Sequence, residues 1–253
     1  MKILFLLISL LVFSPPSLST AQEELLLRVG IDSFTPPFVM EGANRQFFGF
    51  DISMMQYICQ MIKRRCVFVS LPFEELIPAV EIGKVDVAVS ALTITSERVA
   101  RVNFSSPYLL SLSRFLGPSQ LATKNFGLHS LNDQRIGIEK GTVFPAVINA
   151  LGIKNPKIIE FEDAPHLIDA LQAGKVDLVL LDAPSAMYWQ MQSSGRFSVL
   201  GNAFAYGFGF GIAITPQEPE LLQVINKALA LYMNSKEFKR EYGKYIGEND
   251  FAP

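Results

Sequence analysis

Leu76-Ile77-Pro78-Ala79-Val80-Glu81-Ile82-Gly83-Lys84-Val85-Asp86 returns 91 residues later as Leu167-Ile168-Asp169-Ala170-Leu171-Gln172-Ala173-Gly174-Lys175-Val176-Asp177, with seven of the eleven positions identical. In each copy an amphipathic helix runs into a glycine, the residue that takes the left-handed position just past a helix end without steric cost. An apolar, β-branched stretch follows at once, Val85 to Val89 in the first copy and Val176 to Leu181 in the second. Continuous apolar strands that follow helices belong in a mostly parallel sheet covered on both faces. Two copies of such a unit predict an α/β fold of two lobes built to a similar plan.

The rest of the chain fits that plan. Leu26 to Ile31 reads as a first strand, Asp51 to Lys63 as a helix and Val67 to Ser70 as a strand. The second lobe offers a strand at Arg135 to Ile138, a helix from Thr142 to Leu151, a strand at Lys157 to Phe161 and the second repeat. A last helix is expected from about Glu218 to Met233. We assign residues 22–111 and 205–253 to the first lobe and residues 112–204 to the second. Two crossings between lobes make a two-strand hinge, which permits domain closure.

The opening of the chain indicates export. Lys2 precedes an unbroken apolar run from Ile3 to Phe13, followed by prolines and small residues up to Ala21. This is the three-part pattern of a signal peptide over residues 1–21, and the run is too short to cross about 30 Å of hydrocarbon. No later segment is long and apolar enough to do so, and a soluble, monomeric mature chain is expected. The full chain carries 22 basic and 24 acidic side chains, interspersed in sign. That distribution argues against nucleic acid as a partner, which requires a basic face. The two cysteines, Cys59 and Cys66, are expected to be joined in an oxidising compartment rather than to remain as two buried thiols. His129 and His166 stand apart from any residue at metal-ligand spacing, so neither a metal nor another cofactor is expected.

In open α/β sheets, ligands bind beyond the carboxyl ends of the strands. The first repeated strand leads into Ser90-Ala91-Leu92-Thr93-Ile94-Thr95-Ser96-Glu97-Arg98, where Thr95 or Ser96 can cap a short helix. Arg98 is then a cation near a helix N-terminus, unfavourable to the helix dipole, and its planar fork suits a carboxylate. A surface ion pair is the other reading of such an arginine. The second strand ends at Asp182 after four apolar residues, and a carboxylate there needs a cationic or hydrogen-bonding partner. An acid on one lobe facing a guanidinium and hydroxyls on the other suits a zwitterion. Gly141-Thr142 adds N–H groups at the start of a helix.

These segments carry a resemblance. Val29-Gly30-Ile31-Asp32 through Pro36-Pro37-Phe38, Gly49-Phe50-Asp51, Phe73 to Ala79, Gly83 to Arg98, Asn103 to Tyr108, Gly137 to Thr142 and Gly174 to Asp182 together resemble the bacterial extracellular solute-binding proteins for polar amino acids, family 3. The resemblance spans nearly the whole mature chain. It implies two Rossmann-like lobes of the type II periplasmic binding protein fold and a periplasmic protein that delivers its solute to an ABC permease in the membrane.

Carried over residue by residue, the resemblance implies that Arg98 holds the ligand's α-carboxylate, aided by main-chain N–H groups at Thr93 and in the Thr142-Val143 turn. It assigns the α-ammonium to Asp182, the Thr93 hydroxyl and the Ser90 carbonyl, with Ala91 in the same loop. Phe73 matches an aromatic that lies along the ligand side chain; plain core packing is the other fate of such a residue. Cys59 and Cys66 fall where some cationic-amino-acid binders of the family have a disulfide. The chain departs from the family in two places. Thr35 stands where many members have an aromatic, with Phe34 one residue earlier, and Glu139 stands where several members are neutral or basic. Glu139 with Asp32 would supply two carboxylates for a distal cation, so the expected ligand is arginine, lysine or ornithine, with glutamine or another polar amino acid as the alternative. Binding by lobe closure needs no catalytic group, and no nucleophile motif or phosphate loop is present. Exported dehydratases share these lobes, and in that second reading Glu139 or Asp182 would act as acid or base.

Overall fold

The structure, a computed structural model, describes residues 25–123 and 125–247; the signal peptide expected over residues 1–21 lies outside them. The chain begins with β1 (Leu26–Ile31), the short hairpin strands β2 (Met40–Glu41) and β3 (Phe47–Phe48), α1 (Phe50–Met61) and β4 (Arg65–Ser70). Next come α2 (Leu76–Glu81), β5 (Val87–Ala88), α3 (Ser96–Val99) and β6 (Asn103–Phe104). A second set follows: β7 (Leu112–Pro118), β8 (Arg135–Glu139), α4 (Phe144–Ala150), β9 (Lys157–Phe161), α5 (Ala164–Gln172), β10 (Leu178–Asp182), α6 (Ala183–Gln192) and β11 (Phe197–Ala205). The chain then adds β12 (Ala213–Ile214), α7 (Pro219–Met233) and α8 (Lys236–Tyr245). No helix among the described residues is long and apolar enough to cross a membrane.

Two five-stranded sheets result, ordered β4-β1-β5-β12-β6 and β9-β8-β10-β7-β11. The two orders are the same plan. In each, the first three strands are parallel, and the fourth, β12 or β7, runs antiparallel to both its neighbours. The sheets are therefore more mixed than the repeat alone predicts, and the path of the chain explains why. Ser113 of β7 lies opposite Asp182, the carboxyl end of β10, and Ala213 of β12 lies opposite Ala88 of β5. A strand entering from the hinge starts at the cleft end of the sheet and must run the other way.

The repeat has a defined structural use. Gly83 and Gly174 have φ of 73° and 66°. Past each helix end, the Lys84 N–H donates to Ala79 O at 2.8 Å and the Lys175 N–H to Ala170 O at 2.9 Å. These bonds close the helix ends as Schellman motifs and aim the chain into the next strand. The repeated aspartates then fasten that strand to the neighbouring parallel strand, β1 in the first lobe and β8 in the second. Asp86 accepts the Arg28 N–H at 2.7 Å and Asp177 accepts the Arg135 N–H at 2.8 Å, and each carboxylate also binds the same arginine's guanidinium.

Strand alternation divides each lobe's core in two. Leu27, Val29 and Ile31 pack with α1 and α7, while Val85 and Ala88 face α2. In the second lobe Leu178 and Leu180 face α4, and Val179 and Leu181 face α5 and α6. Cys59 and Cys66 form a disulfide with Cα atoms 5.8 Å apart, tying the end of α1 to the start of β4.

Candidate ligand-binding site

The carboxyl ends of β5, β8 and β10 converge on a cavity between the lobes. Of the residues expected to form a site, Phe73, Ala91, Thr93, Arg98, Glu139, Thr142, Val143 and Asp182 line it. Two do not. Asp32 lines an adjoining acidic groove with Glu74, Glu162 and Asp163. Ser90 is fully buried behind the cavity wall, where its hydroxyl accepts the Asp32 N–H at 2.9 Å.

Arg98 is positioned by its own helix cap, since the Thr95 hydroxyl accepts the Arg98 N–H at 3.2 Å. Its side chain, 9% exposed, turns back from the surface. One end of the guanidinium donates to Thr93 O and the other crosses to the second lobe and donates to Gly141 O, both at 3.0 Å. The Phe73 ring lies 5.8 Å from its centre. Burial lowers the Arg98 pKa to about 10, against the opposing pull of Asp182 and Glu97. The Asp182 carboxylate, half-buried at the end of β10, makes no side-chain hydrogen bond among the described residues and does not cap α6. Burial raises it to about 8 even with Arg98 acting in the other direction.

Glu139 is the least compensated group. It is 5% exposed, and its Oε1 has no hydrogen-bond partner. Desolvation, followed by the negative charges of Asp32, Asp163 and Asp182, raises its pKa to about 9. Asp32, by contrast, accepts the Thr35 hydroxyl at 2.6 Å and the Phe34 N–H at 3.3 Å, and burial still raises it.

The turn after β8 differs from expectation. Thr142 does not open the helix: its hydroxyl and N–H both return to Glu139 O, at 2.6 and 3.4 Å, and α4 starts at Phe144 with Pro145 in its first turn. The Thr142 N–H is thus engaged within the turn, and the Val143 N–H remains the open one of that pair among the hydrogen bonds of the described residues.

Sequence reasoning missed Thr35, Pro36, Phe144, Ala164, Leu181, Ser185 and Trp189, which complete the lining. Ser185 Oγ and Trp189 Nε1 are buried without a hydrogen-bond partner, as is Glu139 Oε1. The signal existed in the spacing. Ser185 and Trp189 follow Asp182 by three and seven residues, the interval that places them on one face of the helix opened by that strand end. Phe34 meets Trp189 across the cleft at 6.1 Å between ring centroids. The aromatic displaced from position 35 is therefore used between lobes, while the Thr35 hydroxyl is used on Asp32.

The lobes touch elsewhere around the cavity. Lys140 pairs with Glu74 at 2.9 Å. Gly141, at φ 77°, lies so close to Glu74 that a Cβ would meet its Cα at 2.5 Å. Asp51, fully buried beneath the site, accepts the Ala91 N–H at 2.8 Å and the Tyr108 hydroxyl at 3.0 Å. It fixes Ala91 at φ 47° and links the site to Tyr108 in the segment between β6 and β7.

Known proteins share this fold. ABC transporter arginine-binding protein 1 of Escherichia coli (strain K12) is 28% identical over 210 residues, 81% of this chain and 84% of that protein. The arginine 3rd transport system periplasmic binding protein from Legionella pneumophila superposes with a TM-score of 0.80 at 29% identity, covering 88% of this chain and 100% of that one. An ancestral arginine-binding protein bound to glutamine gives a TM-score of 0.80 at 28% identity, over 88% of this chain and 98% of that one. Residues 27–248 match the model of the bacterial extracellular solute-binding proteins, family 3, and the chain belongs to that family.

Proposed function

We propose that this protein captures a cationic amino acid between its lobes in the periplasm and delivers it, chemically unchanged, to an ABC permease. The observation that carries the reading is the distribution of charge in the cavity: one buried guanidinium, Arg98, at one side, and Asp182 and a partnerless Glu139 at the other. A zwitterion with a cationic side chain neutralises all three. Its carboxylate meets Arg98 together with the N–H groups of Thr93 and Val143. Its ammonium meets Asp182, with the Thr93 hydroxyl beside it, and its side chain passes Phe73 towards Glu139. Asp32 acts from behind the wall as a second negative charge. Such a ligand touches both lobes and stabilises the closed form by differential contacts alone. The names of the arginine-binding relatives agree with this ligand class.

A second reading, a neutral polar ligand such as glutamine, is favoured by one feature. A Glu139 carboxyl held at a raised pKa carries a proton at neutral pH, and a protonated carboxyl matches an amide. The test of both is thermal unfolding of the mature protein, refolded without ligand, against the twenty common amino acids and ornithine. A solute bound only by the folded form raises the melting temperature. A large shift confined to arginine, lysine or ornithine supports the cationic reading; one confined to glutamine supports the second. No shift with any amino acid rejects both.

A further inference from the structure

Glu139 is a buried acid that the lobes enclose without giving it a partner, and its two protonation states present opposite faces to a ligand. Ionised, it only accepts hydrogen bonds; protonated, it offers one donor and one acceptor on the same plane. We propose that Glu139 sets ligand selectivity through its proton, so that the ionised carboxylate holds a guanidinium or ammonium, the protonated carboxyl holds an amide, and the preference between arginine and glutamine follows pH. This rests on the amino-acid reading of the site and goes beyond it by making one pocket serve two ligand classes.

The surroundings of Glu139 favour such a switch. Asp32 faces it from the segment after β1, Asp163 from the start of α5 and Asp182 from the end of β10. The cation lining the same cavity, Arg98, donates to Thr93 O and Gly141 O and keeps its remaining N–H groups for the ligand carboxylate, so it does not neutralise Glu139. Lys140, the next residue, is turned to Glu74, and His166 is bonded to Asp163 on the exposed side. Closing the lobes over this group therefore requires either a cationic side chain or a proton taken from solvent. The raised pKa, about 9 with desolvation as its first cause, agrees with that choice.

Linkage fixes the sign. A neutral ligand that closes the lobes over protonated Glu139 takes up a proton, so its affinity falls by up to about tenfold per pH unit above the open-form pKa. A cationic ligand binds the ionised form and takes up none. Arginine and glutamine share the same backbone groups, so the titration of Asp182 and of the ligand ammonium divides out of their ratio.

The experiment is calorimetric titration of the full mature protein with arginine and with glutamine between pH 5.5 and 8.5. The arginine-to-glutamine affinity ratio should rise by about tenfold or more over that range; a smaller rise while both ligands bind overturns the proposal. Binding of neither ligand at any pH instead rejects the amino-acid reading itself. E139Q should prefer glutamine with a ratio independent of pH, and retention of the wild-type slope would place the proton elsewhere and overturn the proposal. Should that variant not fold, wild-type titrations at pH 7 in two buffers of different ionisation enthalpy count the protons directly. Glutamine should take up more protons than arginine by close to one per site, and equal uptake overturns the proposal.

Discussion

Replacing Arg98 by Ala separates binding from folding, because the two effects have different sizes. Holding the guanidinium charged in the cleft is costly: burial lowers its pKa from the ordinary guanidinium value to about 10, and at about 1.4 kcal/mol per unit this is roughly 3 kcal/mol. Against that cost stand two hydrogen bonds from a charged donor, to Thr93 O and Gly141 O, each worth about 1.5–3 kcal/mol. The two contributions nearly offset, so Arg98→Ala should change ligand-free stability by no more than about 3 kcal/mol. Ligand binding has no such compensation. Removing one partner of a desolvated, hydrogen-bonded charge pair costs about 2–5 kcal/mol, a loss of roughly 30- to several thousand-fold in affinity. Urea unfolding of the ligand-free variant and calorimetric titration with the best-shifting amino acid measure the two quantities. An affinity within tenfold of wild type would refute the assignment of the carboxylate to Arg98, whatever happened to stability.

Three further outcomes follow from the geometry. Gly141→Ala places a Cβ 2.5 Å from Glu74 Cα and forces an L-residue to φ 77°, which should keep the lobes apart; small-angle scattering with saturating ligand should show an open form, and unchanged affinity with normal closure would refute the contact. Replacing Cys59 and Cys66 by Ser removes a short closed loop and should lower stability by about 2–3 kcal/mol in denaturant titration, with little effect on affinity, since neither residue lines the cavity. Asp51, with a pKa raised by burial to about 7, binds more protons folded than unfolded between pH 4 and 7, so its contribution to stability is fully present below about pH 4 and is lost as pH rises through 7. Asp51→Asn should flatten that slope in melting curves taken from pH 4 to 8, and an unaltered slope would assign it to other groups.

Much of the fold was legible because the information is local. Gly83 and Gly174 need only their left-handed conformation to end a helix, and the apolar runs after them need only two covered faces, so the repeat predicts two like lobes without knowledge of their contacts. The ends of the repeated strands led to Arg98 and Asp182 for the same reason, since a charge that terminates an apolar strand stands out in one dimension. The direction of β7 and β12 was not legible, because it depends on where the hinge delivers the chain, which no residue in either strand records. Nor was α8 anticipated: its stretch, Lys236–Tyr245, is mostly polar, and it is held by the Ser235 cap and by the packing of Phe238 and Tyr242 against the first lobe.

By itself, the sequence determined the two-lobed α/β plan, the cysteine pair and the residue types at the strand ends, all set by short-range periodicity and turn chemistry. The tertiary structure decided which of those residues share a cavity. It sets Asp32 and Ser90 behind the wall and brings in Ser185 and Trp189 from α6. It also leaves Glu139 buried without a partner, with its charge opposed by three carboxylates from separate parts of the chain. Desolvation and like-charge repulsion are properties of the enclosed space, and that space exists only once both lobes have folded and met.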